Sequence, residues 1–116
     1  AAIKIIRPGV GASEIFRAYT DVIRKEGYEE LMWKWTTTRG VTFGHGIGFE
    51  IHEEPILCSS ADNRLEENMV VAFEQGLRTG KGSPLVLDLE EVLLVTRTGC
   101  ELLTPLERKI RTLDYL

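Results

Sequence analysis

The chain has 116 residues, of which 43% are hydrophobic and 28% charged, and its formal net charge is -4. A single domain of this length can bury a hydrophobic core without disulfide bonds or bound metals to stabilise it. A chain with this negative net charge lacks the basic surface that nucleic-acid binding requires. No run approaches the roughly 18 apolar residues that a membrane span needs. We therefore expect one globular unit that binds neither nucleic acid nor membrane.

The cysteines and the first residues predict a cytoplasmic location. Neither Cys58 nor Cys100 has a neighbouring cysteine at a zinc-binding spacing. We expect both to be reduced thiols, with a single disulfide between them as the alternative. Lys4 interrupts the apolar run at the start of the chain, which is not the pattern of a secretory signal.

One amphipathic helix is predicted near the start of the chain. Apolar residues recur at helical spacing from Ile15 to Ile23, which indicates about three turns that cover a sheet. Ser13 is the expected N-cap, and Gly27 lies where a C-terminal cap belongs.

Two tryptophans follow the helix. Trp33 and Trp35 are two residues apart, so on a strand they would share one face. Packing in or near the core explains them better than a platform for stacking bases or sugars, because two rings in an acidic chain are a weak signal.

Both histidines of the chain lie in the stretch 44–55, which reads GHGIGFEIHEEP. Its glycines at positions 44, 46 and 48 indicate a loop whose backbone can come close to a bound group. The following residues 49–52 alternate between apolar and polar, which predicts a short strand with Glu50 and His52 on one face. This stretch is the first place to look for chemistry.

Two apolar runs that contain acids predict the central strands. Residues 68–77 contain Glu74, and residues 85–96 contain Asp88, Glu90 and Glu91. On a strand, Asp88 and Glu90 share one face while Glu91 points away. A buried carboxylate costs several kcal/mol unless it is paired or binds a metal, so Glu74 and Glu90, both expected in the sheet core, need partners.

The last part of the chain predicts a hairpin and a helix. Residues 97–99 form a turn, and residues 100–103 return as the second arm of a hairpin. Thr104 with Pro105 and Glu107 has the pattern of a capping box, which predicts a short helix to about Leu113.

His45, His52, Glu74 and Glu90 are the candidate functional residues. Histidine and carboxylate ligands without cysteine suit Mn²⁺, Co²⁺, Fe²⁺ or Zn²⁺. Separately, each has an ordinary explanation: His52 as a satisfied strand histidine, and the two acids as partners of Arg39 or Arg97.

Three blocks in order, 44–55, 65–76 and 89–104, resemble the pita-bread metallopeptidases, a family that includes aminopeptidase P, prolidase, methionine aminopeptidase and creatinase. The likeness is nearest to the prolidase and aminopeptidase P branch. It implies an α+β fold in which an antiparallel sheet is covered by helices. Residues 1–116 would then be the C-terminal half of the catalytic domain.

The resemblance also implies roles for the four residues. His45, Glu74 and Glu90 would be metal ligands, with Glu90 bridging two ions. His52 would hydrogen-bond the substrate carbonyl. Glu74 would also relay a proton as general base and then acid while a metal-activated water cleaves an amide bond of a small Xaa-Pro peptide. The metals of the family are manganese, cobalt, zinc or iron, usually in pairs.

Departures from the family pattern limit this expectation. The two aspartate ligands of the family lie upstream of the resembling blocks, and the first aspartate here, Asp21, falls on the predicted helix and is not assigned. Gln75 and Asp88 stand where proline and arginine are common. We therefore expect at most one metal in this chain and little activity alone. Its partner would be a second copy, as in a dimer, or the missing N-terminal half-domain.

Two other functions are compatible with these residues. One is a creatinase-like small-molecule amidohydrolase, since a fold does not fix its substrate. The other is a non-catalytic binding module of the same fold.

Overall fold

One helix and six strands make up the part of the chain that the computed structural model describes, which is residues 2–32, 34–38, 40–105, 107 and 109. Short 3₁₀ turns span Ala2–Ile5 and Glu29–Leu31. The main elements are α1 (Ala12–Lys25), β1 (Trp35–Thr37), β2 (Gly40–Gly46), β3 (Glu53–Cys58), β4 (Val70–Arg78), β5 (Val86–Val95) and β6 (Cys100–Leu102).

The six strands form one antiparallel sheet. Its order is β1-β2-β4-β5-β6, and β3 pairs with β2 outside this path. The longest pairing joins β4 to β5 from Val70 opposite Leu94 to Arg78 opposite Val86. β6 pairs only with the last part of β5, Leu93–Val95. The predicted α+β class, both central strands and the hairpin into β6 are confirmed.

Helix α1 begins earlier than its sequence pattern predicted. Gly11 is the N-cap, and Ser13 lies within the first turn, so the predicted Ser13 cap is wrong. The Glu14 carboxylate accepts a hydrogen bond from the Gly11 N–H at 3.2 Å. This bond is the glutamate half of a capping box, and it forms without a hydroxyl residue at the N-cap.

The end of α1 agrees with the prediction. Gly27 adopts a φ of +79°, a left-handed conformation that glycine reaches without steric cost. Its N–H donates to the Arg24 carbonyl, and the Tyr28 N–H donates to the Ile23 carbonyl at 2.9 Å. These two bonds form the Schellman pattern that satisfies the last carbonyls of a helix.

The core lies between α1 and the sheet. Ile15 is fully buried on the helix, and Tyr19 meets Phe73 of β4 edge-on with ring centroids 6.1 Å apart. Phe73 also meets Phe43 of β2 edge-on at 5.6 Å. Buried aromatic pairs in this geometry add to the hydrophobic stabilisation of the core, so this cluster fixes α1 against the sheet.

The residues between β2 and β3 correct one prediction. Residues 49–52 are bends and not a strand, while Gly44 and Gly46 belong to β2 and not to a loop. The reason is the pairing of Gly46 with Glu53, because the six residues between these partners must reverse the chain direction. Alternation alone could not reveal this reversal.

Two predictions near the tryptophans and the C-terminus have no test here. Trp33 lies outside the described residues, and β1 begins at Trp35. The predicted helix after Thr104 falls mostly on residues 106, 108 and 110–116, which also lie outside them.

Both cysteines are free thiols, as expected, with Cys58 buried. The Cys100 thiol donates to the Ile3 carbonyl at 3.4 Å, and burial raises its pKa. Among the described residues, no helix combines the length and apolar character required to cross a bilayer.

Candidate metal centre

Strand pairing places His45, Glu74 and Glu90 on one face of the sheet. His45 of β2 is opposite Ala72 of β4, and Glu74 of β4 is opposite Glu90 of β5. Side chains alternate along a strand and directly opposite residues share a face. Ala72 and Glu74 therefore point the same way, and the other two residues join them on that face.

His45 and Glu74 are the closest pair of donors. The His45 ring is buried, with 3% exposure, and its Nδ1 lies 3.0 Å from the Gly46 carbonyl oxygen. A carbonyl can only accept, so Nδ1 carries the N–H and is not free to bind a metal. The other nitrogen, Nε2, lies 3.4 Å from Glu74 Oε1. Two acceptors then face each other unless a second proton or a cation lies between them.

His52 completes a group of three donors. Its ring centroid lies 4.2 Å from that of His45, with 48° between the ring planes. The ligand atoms of His45, His52 and Glu74 all lie within 4.8 Å of one another. His52 is exposed, and the Glu74 side chain is 25% exposed. The group therefore opens outward from a buried imidazole.

The donor set fits a divalent metal ion. Imidazole nitrogen and carboxylate oxygen are ligands of zinc, manganese, iron and cobalt in proteins. Two ligands that are each about 2.0–2.2 Å from a shared ion stand roughly 3–3.5 Å apart. The separation of 3.4 Å between His45 Nε2 and Glu74 Oε1 agrees with this spacing. The hydrogen bond from Nδ1 to Gly46 also orients the ring as ligand histidines are commonly oriented.

Glu90 is next to this group but outside it. It is directly opposite Glu74, and like charges that face each other across strands are destabilising unless a cation lies nearby. The prediction that Glu90 is buried is wrong, because it is exposed and Glu91 is the buried acid, with 2% exposure. Glu91 points away from Glu90 and lines a helix-side cavity of about 160 Å³ with Tyr19.

The charge of Asp88 acts on Tyr19 of α1. Burial raises the pKa of the Tyr19 phenol, and the negative charge of Asp88 raises it further. Tyr19, Gln75 and Asp88 line a second cavity of about 210 Å³. Asp88 and Gln75, the two departures from the family pattern, therefore lie together near α1.

The glycines beside His45 allow neighbouring strands to approach closely. A Cβ on Gly44 would overlap the Ala72 carbonyl oxygen of β4 and lie 3.0 Å from Leu57 Cδ1. A Cβ on Gly46 would lie 2.8 Å from the Glu54 carbonyl carbon of β3. Glycine at both positions therefore lets β3 and β4 close around the strand that carries His45. The sequence pattern had indicated backbone freedom for a loop instead.

Comparison with known proteins gives one family. Residues 1–97 match the model of metallopeptidase family M24. An uncharacterised peptidase of Staphylococcus epidermidis is 34% identical over 107 residues, covering 92% of this chain and 28% of the relative. The Xaa-Pro dipeptidase of Pyrococcus furiosus is 29% identical over 109 residues, covering 94% of this chain and 29% of the relative.

A solved structure has the same fold as this chain. The X-Pro aminopeptidase of Thermotoga maritima superposes with a TM-score of 0.78 at 33% sequence identity, covering 93% of this chain and 28% of that protein. This chain thus has part of the pita-bread fold and spans less than a third of the length of these three relatives.

Proposed function

Because the chain belongs to metallopeptidase family M24, we propose that residues 1–116 are the C-terminal half of a metal-dependent catalytic domain that hydrolyses small Xaa-Pro peptides in the cytoplasm. The observation that carries this proposal is the approach of His45 Nε2 to Glu74 Oε1 at 3.4 Å, with the His52 ring tilted against the His45 ring at a centroid distance of 4.2 Å. The names of the relatives, an Xaa-Pro dipeptidase and an X-Pro aminopeptidase, support the substrate class.

Three residues would hold the metal. His45 and Glu74 supply a nitrogen and an oxygen at a suitable spacing, and Glu90 adds a carboxylate from the facing strand that would bridge to a second ion in the complete site. A bound divalent ion, whether manganese, cobalt, zinc or iron, would polarise the scissile carbonyl and lower the pKa of a coordinated water.

Two side chains of this chain would handle the proton and the substrate oxygen. Glu74 is partly exposed, so its carboxylate can take a proton from the attacking water and pass it to the leaving nitrogen as the amide bond breaks. His52 is exposed at the rim of the group. Its ring would donate a hydrogen bond to the substrate oxygen as negative charge develops there.

The remaining metal ligands would come from the upstream half of the domain, which would dock against β5. β6 pairs with β5 only at Leu93–Val95, so within the described residues the earlier part of β5 forms an edge of the sheet. Leu85, immediately before β5, and Leu87 and Leu89 on β5 are 66%, 55% and 42% exposed. Such an edge beside an apolar row favours pairing with another segment. A second copy of the chain is the competing occupant.

Proline-dipeptide hydrolysis tests the proposal. We expect the 116-residue chain alone to show little or no turnover with manganese, because the two aspartate ligands of the family are missing. The same chain joined to its upstream half should cleave a dipeptide that ends in proline and leave a matched dipeptide that ends in alanine largely intact. Robust manganese-dependent turnover by the 116-residue chain alone would contradict the half-domain assignment.

One observation favours a second function. Asp88 occupies a position where arginine is common in the peptidases that the sequence resembles. It lies on β5 opposite Gly76 and lines the cavity of about 210 Å³ beside Tyr19. A creatinase-like amidohydrolase using the same ligands would hydrolyse a small-molecule amide instead of a proline dipeptide. A non-catalytic binding module would bind no transition metal. A peptidase or a creatinase-like amidohydrolase would bind one, and the variant Glu90→Ala should lose that metal.

A further inference from the structure

The connection between β2 and β3 carries His52 as its last residue. Gly46 and Glu53 pair at its base, and the Ile47 N–H donates to the Val70 carbonyl of β4 at 3.0 Å. From residue 48 to residue 52 the backbone forms a series of bends. The position of the His52 ring therefore depends on how this short loop is held.

Burial contributes little to holding the tip of the loop. Phe49 is fully exposed, and Ile51 is 76% exposed. Apolar side chains stabilise a conformation roughly in proportion to the area they remove from water, so these two give the tip little support. Gly48 adds backbone freedom that ordering must overcome. A polar contact is needed to fix the loop.

Glu53 provides that contact from the base of the loop. Its Oε2 accepts a hydrogen bond from the Glu50 N–H at 3.3 Å. The same carboxylate lies over Gly48, where a Cβ would be 2.7 Å from Oε2 and would overlap Oε1. The carboxylate thus occupies the space that a side chain at position 48 would fill, and it joins the base of the loop to its tip.

We propose that Glu53 is a positioning residue that closes this loop and holds the His52 ring against His45. We call the contacts of the Glu53 carboxylate with the Glu50 N–H and with Gly48 the clamp. The absence of a side chain at Gly48 makes room for the Glu53 carboxylate, so the two positions act together. The importance of this clamp for catalysis rests on the proposed function, in which His52 is the substrate-side donor. The clamp is a feature of the loop conformation, so its effect on the His52 ring can be tested without measuring turnover.

Proton NMR of the 116-residue chain tests the clamp, because the chain contains only two histidines and their rings lie 4.2 Å apart. We expect a nuclear Overhauser contact between the two rings in the wild-type chain and its loss in Glu53→Ala. Glu53→Gln should retain it, since the amide oxygen can still accept from the Glu50 N–H. Glu50→Gln removes one charge from the same loop while leaving the main-chain donor, so it should also retain the contact.

Gly48→Ala provides a second, independent variant. The added methyl group would displace the Glu53 carboxylate, so the ring contact should be lost although Glu53 is still present. In the double variant Gly48→Ala with Glu53→Ala, the alanine at 48 should add no further change, because interacting positions are non-additive. Unchanged melting temperatures in Gly48→Ala and Glu53→Ala, the two variants expected to lose the contact, would separate a loop effect from unfolding.

A ring contact that persists in both Glu53→Ala and Gly48→Ala would overturn the proposal, as would its loss in Glu50→Gln. Titration of the same samples with cobalt tests the proposed metal site separately. If the wild-type chain binds no metal, the assignment of the metal site is wrong, and the NMR contact between the rings still tests the clamp. If cobalt affinity is unchanged in Glu53→Ala, His52 is not a ligand, as proposed.

Discussion

Replacing Glu74 by alanine is expected to lower the affinity of the chain for Mn²⁺ or Co²⁺ by on the order of 100-fold or more, since even the loss of an outer hydrogen-bond partner of a ligand costs about 10–100-fold. The substitution removes the carboxylate that lies 3.4 Å from His45 Nε2 and leaves the imidazole with one fewer anionic neighbour. Isothermal titration calorimetry with each metal measures the change.

Glu67→Ala is the matched control for this experiment. This variant removes the same kind of side chain from an exposed turn that precedes β4. The metal affinity of Glu67→Ala should therefore equal that of the wild-type chain. Since the Glu74 side chain is 25% exposed, its truncation leaves no large cavity, and the fold should persist. Equal affinities in Glu74→Ala and Glu67→Ala would remove Glu74 from the ligand set.

Gly44→Ala is expected to destabilise the chain by at least about 2 kcal/mol, toward the upper part of the range of about 1–3 kcal/mol found when a well-packed core is overfilled. The added Cβ would overlap the Ala72 carbonyl oxygen. That atom belongs to the backbone of β4 and cannot rotate away as a side chain would, so β2 and β4 must separate. Urea denaturation, compared by its midpoint at equal slope, measures the loss.

Gly80→Ala is the same substitution in an open turn. A Cβ there would meet nothing within 4 Å, so the change should be nearly neutral or stabilising by about 0.4–1 kcal/mol through the unfolded chain. If Gly44→Ala were as stable as Gly80→Ala, the close approach of β4 to β2 could not be the reason for glycine at position 44.

The sequence predicted those elements whose pattern is local. The apolar runs that contain Glu74 and Glu90 became β4 and β5, and Gly27 ends α1 with the expected left-handed conformation. In each case the signal depends on neighbours a few residues apart, such as alternation along a strand or the carbonyls of a last helical turn. The pairing of the two strands then brings Glu74 opposite Glu90.

Features that depend on distant neighbours were not predicted. Residues 49–52 alternate like a strand, but the pairing of Gly46 with Glu53 turns them into a loop. The glycines at 44 and 46 serve close strand contacts, which a single sequence does not distinguish from flexibility. Glu91 is buried in place of Glu90, because which face of β5 meets α1 depends on packing and not on the strand pattern itself.

The proposed metal site requires His45 and Glu74 to bind the same divalent ion. Crystals of the 116-residue chain grown with manganese would show this ion by anomalous diffraction. We expect one strong manganese peak within bonding distance of His45 Nε2 and a Glu74 carboxylate oxygen. Well-ordered His45 and Glu74 side chains with no manganese peak between them, in crystals where the metal is in large excess, would contradict it.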